Sequence, residues 1–245
     1  MTVEKRNTKD ELGKAISDRL VAEIVAAQSD RGVAHVVLTG GSMGGLSLQS
    51  LPDATGVDWS SVHFWWGDER FVPAGSPDRN DMEADQSALS ALPVPAENIH
   101  RVAGPDEVAD AEAAAAAYSA AIRAPKPGDG VFDVVMLGMG PDGHVASLFP
   151  HHPAQRTENA IAIPVHDSPK PPPDRVSLTF ECLNRSRQVW LLVAGAEKAD
   201  SVAAAHAPDA DRWDVPAAGV HGQHDTIWWL DDAAAAKLPD GAPDH

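Results

Sequence analysis

The sequence predicts an α/β protein with helices layered on a mostly parallel sheet. Short apolar runs rich in Val alternate along the chain with segments of helical period, the pattern of strands joined by crossover helices. Several of these runs stop abruptly at a glycine turn or a charged group, as buried parallel strands do where the chain leaves the sheet. No repeat of fixed period interrupts this alternation.

Thr8-Lys9-Asp10-Glu11 fits a capping box, and Leu12, Ala15, Ile16, Leu20, Val21 and Ile24 then recur at helical spacing, so 9–29 reads as an amphipathic helix. Val33 to Thr39 is a short strand broken by Gly40-Gly41, and Ser42 to Leu51 the helix after it. Val62 to Trp66 is a second strand, ending at Gly67. Asp81 to Leu92 is a helix closed by Pro93, Ile99 to Val102 a short strand, and Asp106 to Arg123 an Ala-rich helix closed by Pro125. Strands at 132–137, 160–165, 176–180 and 189–194 follow, then a helix at 197–205, a last strand at 226–230 and a last helix at 231–238. The Pro-rich stretch Pro169 to Pro173 is short enough to be a loop. One domain is therefore expected over 1–245, with a frayed tail from about 239 to 245.

Composition narrows the function. The chain carries a net charge of −17, which argues against nucleic acid as a partner, because phosphate backbones bind clustered Lys and Arg. An anionic substrate must then find a local positive pocket. A lone cysteine, Cys182, the absence of an apolar signal core at the N-terminus and the absence of a bilayer-length apolar run point to a reduced, cytoplasmic location away from membranes.

Four segments carry candidate chemistry, each just past a strand. Phe132 to Leu137 runs into Gly138-Met139-Gly140-Pro141-Asp142-Gly143-His144, where the glycines allow a sharp turn and His144 stands as an acid–base candidate. That edge of an open α/β sheet is where ligands bind. Thr39-Gly40-Gly41-Ser42 opens a helix and suits an anion, although a plain β–α turn would read the same way. It is neither a Walker A loop nor a Gly-x-Gly-x-x-Gly fingerprint. In Trp66-Gly67-Asp68-Glu69-Arg70, Arg70 can clamp an oxyanion, Asp68 or Glu69 can orient it, and Arg79 and Asn80 follow within reach. Gly195-Ala196-Glu197-Lys198 offers a point charge to a phosphate. His151-His152 lie near His144, but no Cys pair or His-Glu-x-x-His spacing supports a metal. Together these groups suit a small phosphorylated polar substrate and proton-transfer or hydrolytic chemistry.

These motifs, in this order and spacing, resemble the 6-phosphogluconolactonases. The resemblance rests on Gly40-Gly41-Ser42, Trp66 to Arg70 with Val72-Pro73, Asn80 with Met82, Gly138 to His144, Ala146-Ser147-Leu148-Phe149-Pro150, Lys170-Pro171-Pro172 before Arg175, and Gly195 with Lys198. It implies the Rossmann-like layered α/β/α fold shared by glucosamine-6-phosphate deaminases, ribose-5-phosphate isomerases and CoA-transferases. Deaminases usually follow their Gly-His turn with Asn-Glu-Pro, whereas Ser147-Leu148-Phe149-Pro150 stands here. The implied reaction is hydrolysis of a sugar-phosphate lactone, with no cofactor, by a monomer or homodimer. His144 would be the base, oriented by Asp68 or Asp142. Gly40, Gly41, Ser42, Arg70, Asn80, Gly143 and Lys198 would hold substrate, and backbone amides around Gly140–Gly143 would stabilise the oxyanion. Arg79, where many members have Ser, would add a second cation. A deaminase or isomerase, a non-catalytic sugar-phosphate sensor and a generic NAD-binding domain are the alternatives, the last two weakened by the missing basic N-terminal module and glycine fingerprint.

Overall fold

Successive residues on a strand point to opposite faces, and in this chain both faces are apolar. The computed structural model describes residues 1–124 and 131–238. Its main sheet is formed by β1 (Thr2–Arg6), β2 (Ala34–Leu38), β3 (Val62–Trp66), β5 (Val134–Gly138), β8 (Gln188–Val193) and β9 (Asp225–Asp231). The order is β1-β9-β8-β5-β2-β3, and every pairing is parallel. On one face Val37, Trp65, Val135, Leu137, Leu191 and Trp228 join a first buried cluster. On the other, Val36, Phe64, Val134, Met136, Trp190 and Trp229 join a second.

Helices cover both faces. α1 (Lys9–Arg31) lays Leu12, Ile16, Leu20 and Ile24 on the second cluster. Its Thr8 capping box forms as the sequence suggested, and Gly32 ends it at φ +76°, a left-handed conformation that glycine adopts without strain. α4 (Ala111–Arg123) packs Ala114, Ala115, Tyr118 and Ile122 on the first cluster. It begins later than expected, because the Asp110 carboxylate caps it by accepting from the Ala113 amide at 2.8 Å. The remaining helices are short: α2 (Gly41–Leu46), α3 (Asn80–Ser87), α5 (Phe180–Asn184), α6 (Ala199–Ala205) and α7 (Asp232–Ala235). α2 stops well before Leu51, after Gly44 and Gly45, which disfavour a helix interior.

Further features depart from the sequence reading. A second, antiparallel sheet of order β4-β7-β6 forms from β4 (Asp68–Arg70), β7 (Arg175–Leu178) and β6 (Ala162–Val165), so the runs at 160–165 and 176–180 do not join the main sheet. β1 was not anticipated, because an edge strand with Val3 as its buried residue and three charged neighbours shows no apolar run. The strand expected at 99–102 is a single bridge from Ile99 to Phe64 after a 3-10 turn at Ala96–Asn98. The tail expected to fray lies outside the described residues.

Gly67 is the switch between sheets. Its amide donates to Leu38 in the main sheet at 3.1 Å, and its carbonyl accepts from Leu178 in the second at 2.8 Å. The second sheet thereby sits beside the C-terminal ends of β2 and β5. Leu191, fully buried on the central strand β8, tests this core. Leu191→Ala is expected to cost about 2–5 kcal/mol in chemical denaturation, and a loss below about 1 kcal/mol would show that the sheet is not packed as described.

Candidate active site

Because all six main strands run the same way, their following turns collect on one edge. There a cavity of about 340 Å³ is lined by Thr39 to Met43 after β2, Arg70 at the end of β4, Gly138 at the end of β5 with Met139, Gly140 and His144 beyond it, and Lys198 after β8. Asp68 and Asn80 also face it. The segments singled out in the sequence thus meet in one place.

The turns interlock through glycines and one threonine. Thr39 Oγ1 accepts from the Gly138 amide at 3.0 Å, tying the end of β2 to the end of β5. A Cβ on Gly40 would fall 1.8 Å from Asn80 Oδ1, so only glycine lets Asn80 reach the cavity wall. The Gly41 amide donates to the Glu83 carboxylate at 2.7 Å, so an anionic group already satisfies this N–H.

His144 and Asp142 form a close pair, with His144 Nδ1 2.5 Å from Asp142 Oδ1. When the imidazole is neutral, the carboxylate acceptor places its proton on Nδ1 and leaves Nε2 with its lone pair. Burial disfavours the charged Asp142 carboxyl, yet the hydrogen bond and charge of His144 and the charge of Lys170 outweigh it and hold the group well below the usual carboxylate range. A Cβ on Gly140 would meet Nδ1 at 2.1 Å, so the pair sits under a backbone that must be glycine. The Phe149 ring packs against the imidazole with centroids 4.7 Å apart. Asp142 and Gly143 do not line the cavity. The first acts from behind His144, and the second bonds its carbonyl to the Ala217 amide at 2.9 Å.

The amides of this turn are already engaged. Gly140 donates to the His144 carbonyl at 3.0 Å and Gly143 to the Gly140 carbonyl at 2.9 Å. The backbone oxyanion site read from the sequence at Gly140–Gly143 is therefore not presented by these two groups.

Asp68 is buried and bonds to groups other than His144. Its Oδ2 accepts from Ser147 Oγ at 2.6 Å, and Asn80 Nδ2 donates to its carbonyl at 2.8 Å. Arg175 stands 3.9 Å from it. Asp142, and not Asp68, is thus the carboxylate against the imidazole. Arg70 gives one N–H to the Asp78 carbonyl, while its buried Nε, like Asn80 Oδ1, has no hydrogen-bond partner among the described residues.

Arg79 is corrected by the structure. It is 2% exposed, forks onto Asp81 at 2.9 and 3.0 Å, donates to the Val102 and Val72 carbonyls, and does not line the cavity. A guanidinium so fully partnered holds the start of α3 in place. Lys170, Pro171 and Arg175, from the Pro-rich loop and β7, line the cavity although the sequence reading gave them no role. Their signal was the Lys-Pro-Pro-x-x-Arg spacing, which says nothing of proximity to a turn so far away in sequence. Among the described residues, no three His, Cys, Asp or Glu side chains gather as metal ligands do.

Glu69, 1% exposed, accepts from the amides of Asn80 and Asp81 at 2.8 and 3.0 Å. Burial pushes its carboxyl up to about 7 from an ordinary 4.5, against the pull of Arg79 and the donor amides. A carboxyl raised on folding contributes stability that is full below its ordinary value and is lost as pH rises through about 7. Glu69→Gln is therefore expected to flatten the fall in stability across that window. Equal urea midpoint slopes against pH in both proteins would contradict it.

The fold and site agree with what the chain resembles. Residues 7–229 match the family model described as glucosamine-6-phosphate isomerases/6-phosphogluconolactonase. A 6-phosphogluconolactonase of Streptomyces coelicolor is 46% identical, covering 94% of this chain and 92% of its own. One from Mycobacterium tuberculosis is 48% identical, covering 94% and 95%. The solved structure of the Trypanosoma brucei 6-phosphogluconolactonase superposes with a TM-score of 0.84 at 28% identity, covering 97% of this chain and 98% of that one. With the parallel sheet, the interlocked turns and the histidine–carboxylate pair all in place, the chain belongs to the glucosamine-6-phosphate isomerase/6-phosphogluconolactonase family.

Proposed function

We propose that this protein hydrolyses 6-phospho-D-glucono-1,5-lactone to 6-phospho-D-gluconate, the second step of the oxidative pentose phosphate pathway. The observation that carries the chemistry is the His144–Asp142 pair, 2.5 Å apart, at the wall of a cavity lined by cations. His144 Nε2 takes a proton from water as the water oxygen attacks the lactone carbonyl, and returns it to the ring oxygen as the ring opens. Asp142 holds the imidazole in the tautomer that makes this possible. The lactone is an activated ester, so water and a base suffice and no cofactor is required.

The substrate phosphate needs cations and donors, and the cavity supplies Arg70, Lys198, Ser42 and the glycine turn. Phosphate entering at Gly41 displaces the Glu83 carboxylate from that amide. Asn80 Oδ1 is left to accept from a sugar hydroxyl. The relatives at 46–48% identity, named 6-phosphogluconolactonases, support the choice of substrate.

The direct test generates the lactone in situ and follows its loss with and without the protein at near-neutral pH. Acceleration over the spontaneous rate is expected, and none with well-folded protein would reject the reading. His144→Ala should lower kcat about 10²–10⁴-fold, the usual size of a general acid–base contribution. A wild-type kcat would remove His144 from that role. Binding should also depend on alkaline pH. Burial, with the charges of Lys170 and Lys9, pulls the Lys198 ammonium below the ordinary lysine range despite Glu197 and Asp231. Lys198 thus loses its charge at lower pH than a free lysine, and the Kd for 6-phosphogluconate should rise on the alkaline side before pH 10.5. Calorimetry of Lys198→Arg should show that rise abolished. A rise of the same size in Lys198→Arg would move the effect elsewhere.

A further inference from the structure

A tetrahedral intermediate needs a donor for its oxyanion, and the turn that sequence reasoning assigned to this task has its Gly140 and Gly143 amides bonded internally. The His144 amide also faces Asp142 Oδ1, at 3.5 Å. With these three amides engaged, the other donors in the wall become the candidates.

Lys170 meets the requirements. Its Nζ lies 3.2 Å from His144 Nδ1 and 3.4 Å from Asp142 Oδ1, and its side chain is 40% exposed at the cavity. Nδ1 already donates to Asp142, so it offers Lys170 no acceptor. The ammonium has three N–H groups, and the Asp142 contact uses one at long range. Among the described residues, Lys170 is the cavity cation in contact with the His144–Asp142 pair, whereas Arg70 bonds Asp78 and Lys198 sits after β8.

The loop bearing Lys170 is held in shape, so the ammonium is placed before substrate arrives. Arg175, 4% exposed, donates to the Lys170, Pro171 and Pro172 carbonyls at 3.0, 3.2 and 3.2 Å. Ser168 Oγ donates to the Lys170 carbonyl at 2.9 Å and accepts from the Lys170 amide at 3.3 Å. His166, next along the loop, bridges Asp174 at 2.7 Å and Glu112 of α4 at 3.0 Å. Placement of this kind is what electrostatic stabilisation requires.

We propose that Lys170 is a catalytic residue that stabilises the oxyanion, an inference that rests on the lactonase reading. As the water oxygen bonds to C1 and its proton passes to His144 Nε2, the C=O electron pair moves onto the carbonyl oxygen. The Lys170 ammonium donates a hydrogen bond to that oxygen and keeps its proton. The pair then re-forms C=O, the bond from C1 to the ring oxygen breaks, and His144 returns the proton to the ring oxygen.

The test separates this role from phosphate binding. Lys170→Met is compared with wild type for kcat and for inhibition by sorbitol 6-phosphate, which carries the phosphate but no carbonyl. kcat is expected to fall about 10²–10³-fold, the usual cost of losing one oxyanion donor, while the inhibition constant stays within about twofold. Lys170→Arg, which keeps the charge, should recover part of the lost kcat. Three results would overturn the proposal: an unchanged kcat, an inhibition constant that weakens as much as kcat falls, or no recovery with Arg. Wild-type protein that does not accelerate lactone loss rejects the lactonase reading instead. The proposal is judged on the ratio of variant to wild type.

Discussion

Asp68 and Glu69 are carboxylates with almost no access to water, and much of the site is arranged around satisfying them. A buried charge is tolerated when donors surround it. Here the donors come from three separate parts of the chain. Asn80 and Asp81 give backbone amides, Ser147 a hydroxyl and Asn80 a side-chain amide, while Arg175 and Arg79 bring charge. Each donor is fixed by this duty, and each then fixes something at the cavity. Asn80 forces glycine at Gly40, Ser147 anchors the segment after His144, and Arg175 shapes the Lys170 loop. The second sheet exists to bring these groups to the end of the first.

That dependence explains what the sequence revealed and what it hid. The central strands were legible because Val-Val-Met-Leu and Val-Trp-Leu-Leu-Val are buried on both faces and carry no competing signal. His144, Gly140 and the Gly40-Gly41-Ser42 turn were legible as groups at one cavity because glycine and histidine at a strand end have few structural explanations. Strand β4 was illegible, since Asp68-Glu69-Arg70 looks like a solvated turn until its partners are known. Arg79 misled for the same reason. A cation beside a candidate site reads as a ligand for substrate, and only the fold shows Asp81 and two carbonyls claiming it. Lys170 was hidden by distance along the chain, because nothing local in a Pro-rich loop points to a histidine many residues earlier.

The charge distribution has a local and a global part. The chain as a whole is strongly acidic, at −17, yet the cavity wall carries Arg70, Lys170, Arg175 and Lys198. Near the wall the close, partly desolvated cations dominate, while charges beyond a Debye length of about 8 Å are screened at physiological salt. The acidic exterior thus sets solubility and slows approach of an anion, and the pocket sets affinity. Different surroundings send two carboxyls in opposite directions: His144 and Lys170 outweigh burial and hold Asp142 charged, while burial outweighs Arg79 and the donor amides and raises Glu69.

The position of β1 carries a consequence for how the chain reaches this state. β1 pairs with β9, with Thr2 opposite Ile227 and Arg6 opposite Asp231. During synthesis the first strand therefore emerges long before its template. The chain can assemble β2, β3, β5 and β8 while β1 waits unpaired and the open edge of β8 faces solvent. Closing so long a loop makes this the contact of greatest sequence separation in the sheet, and contacts of that kind slow folding. Completion of the sheet is thus deferred until β9 is made, which pairs with β8 on one side and β1 on the other in one event.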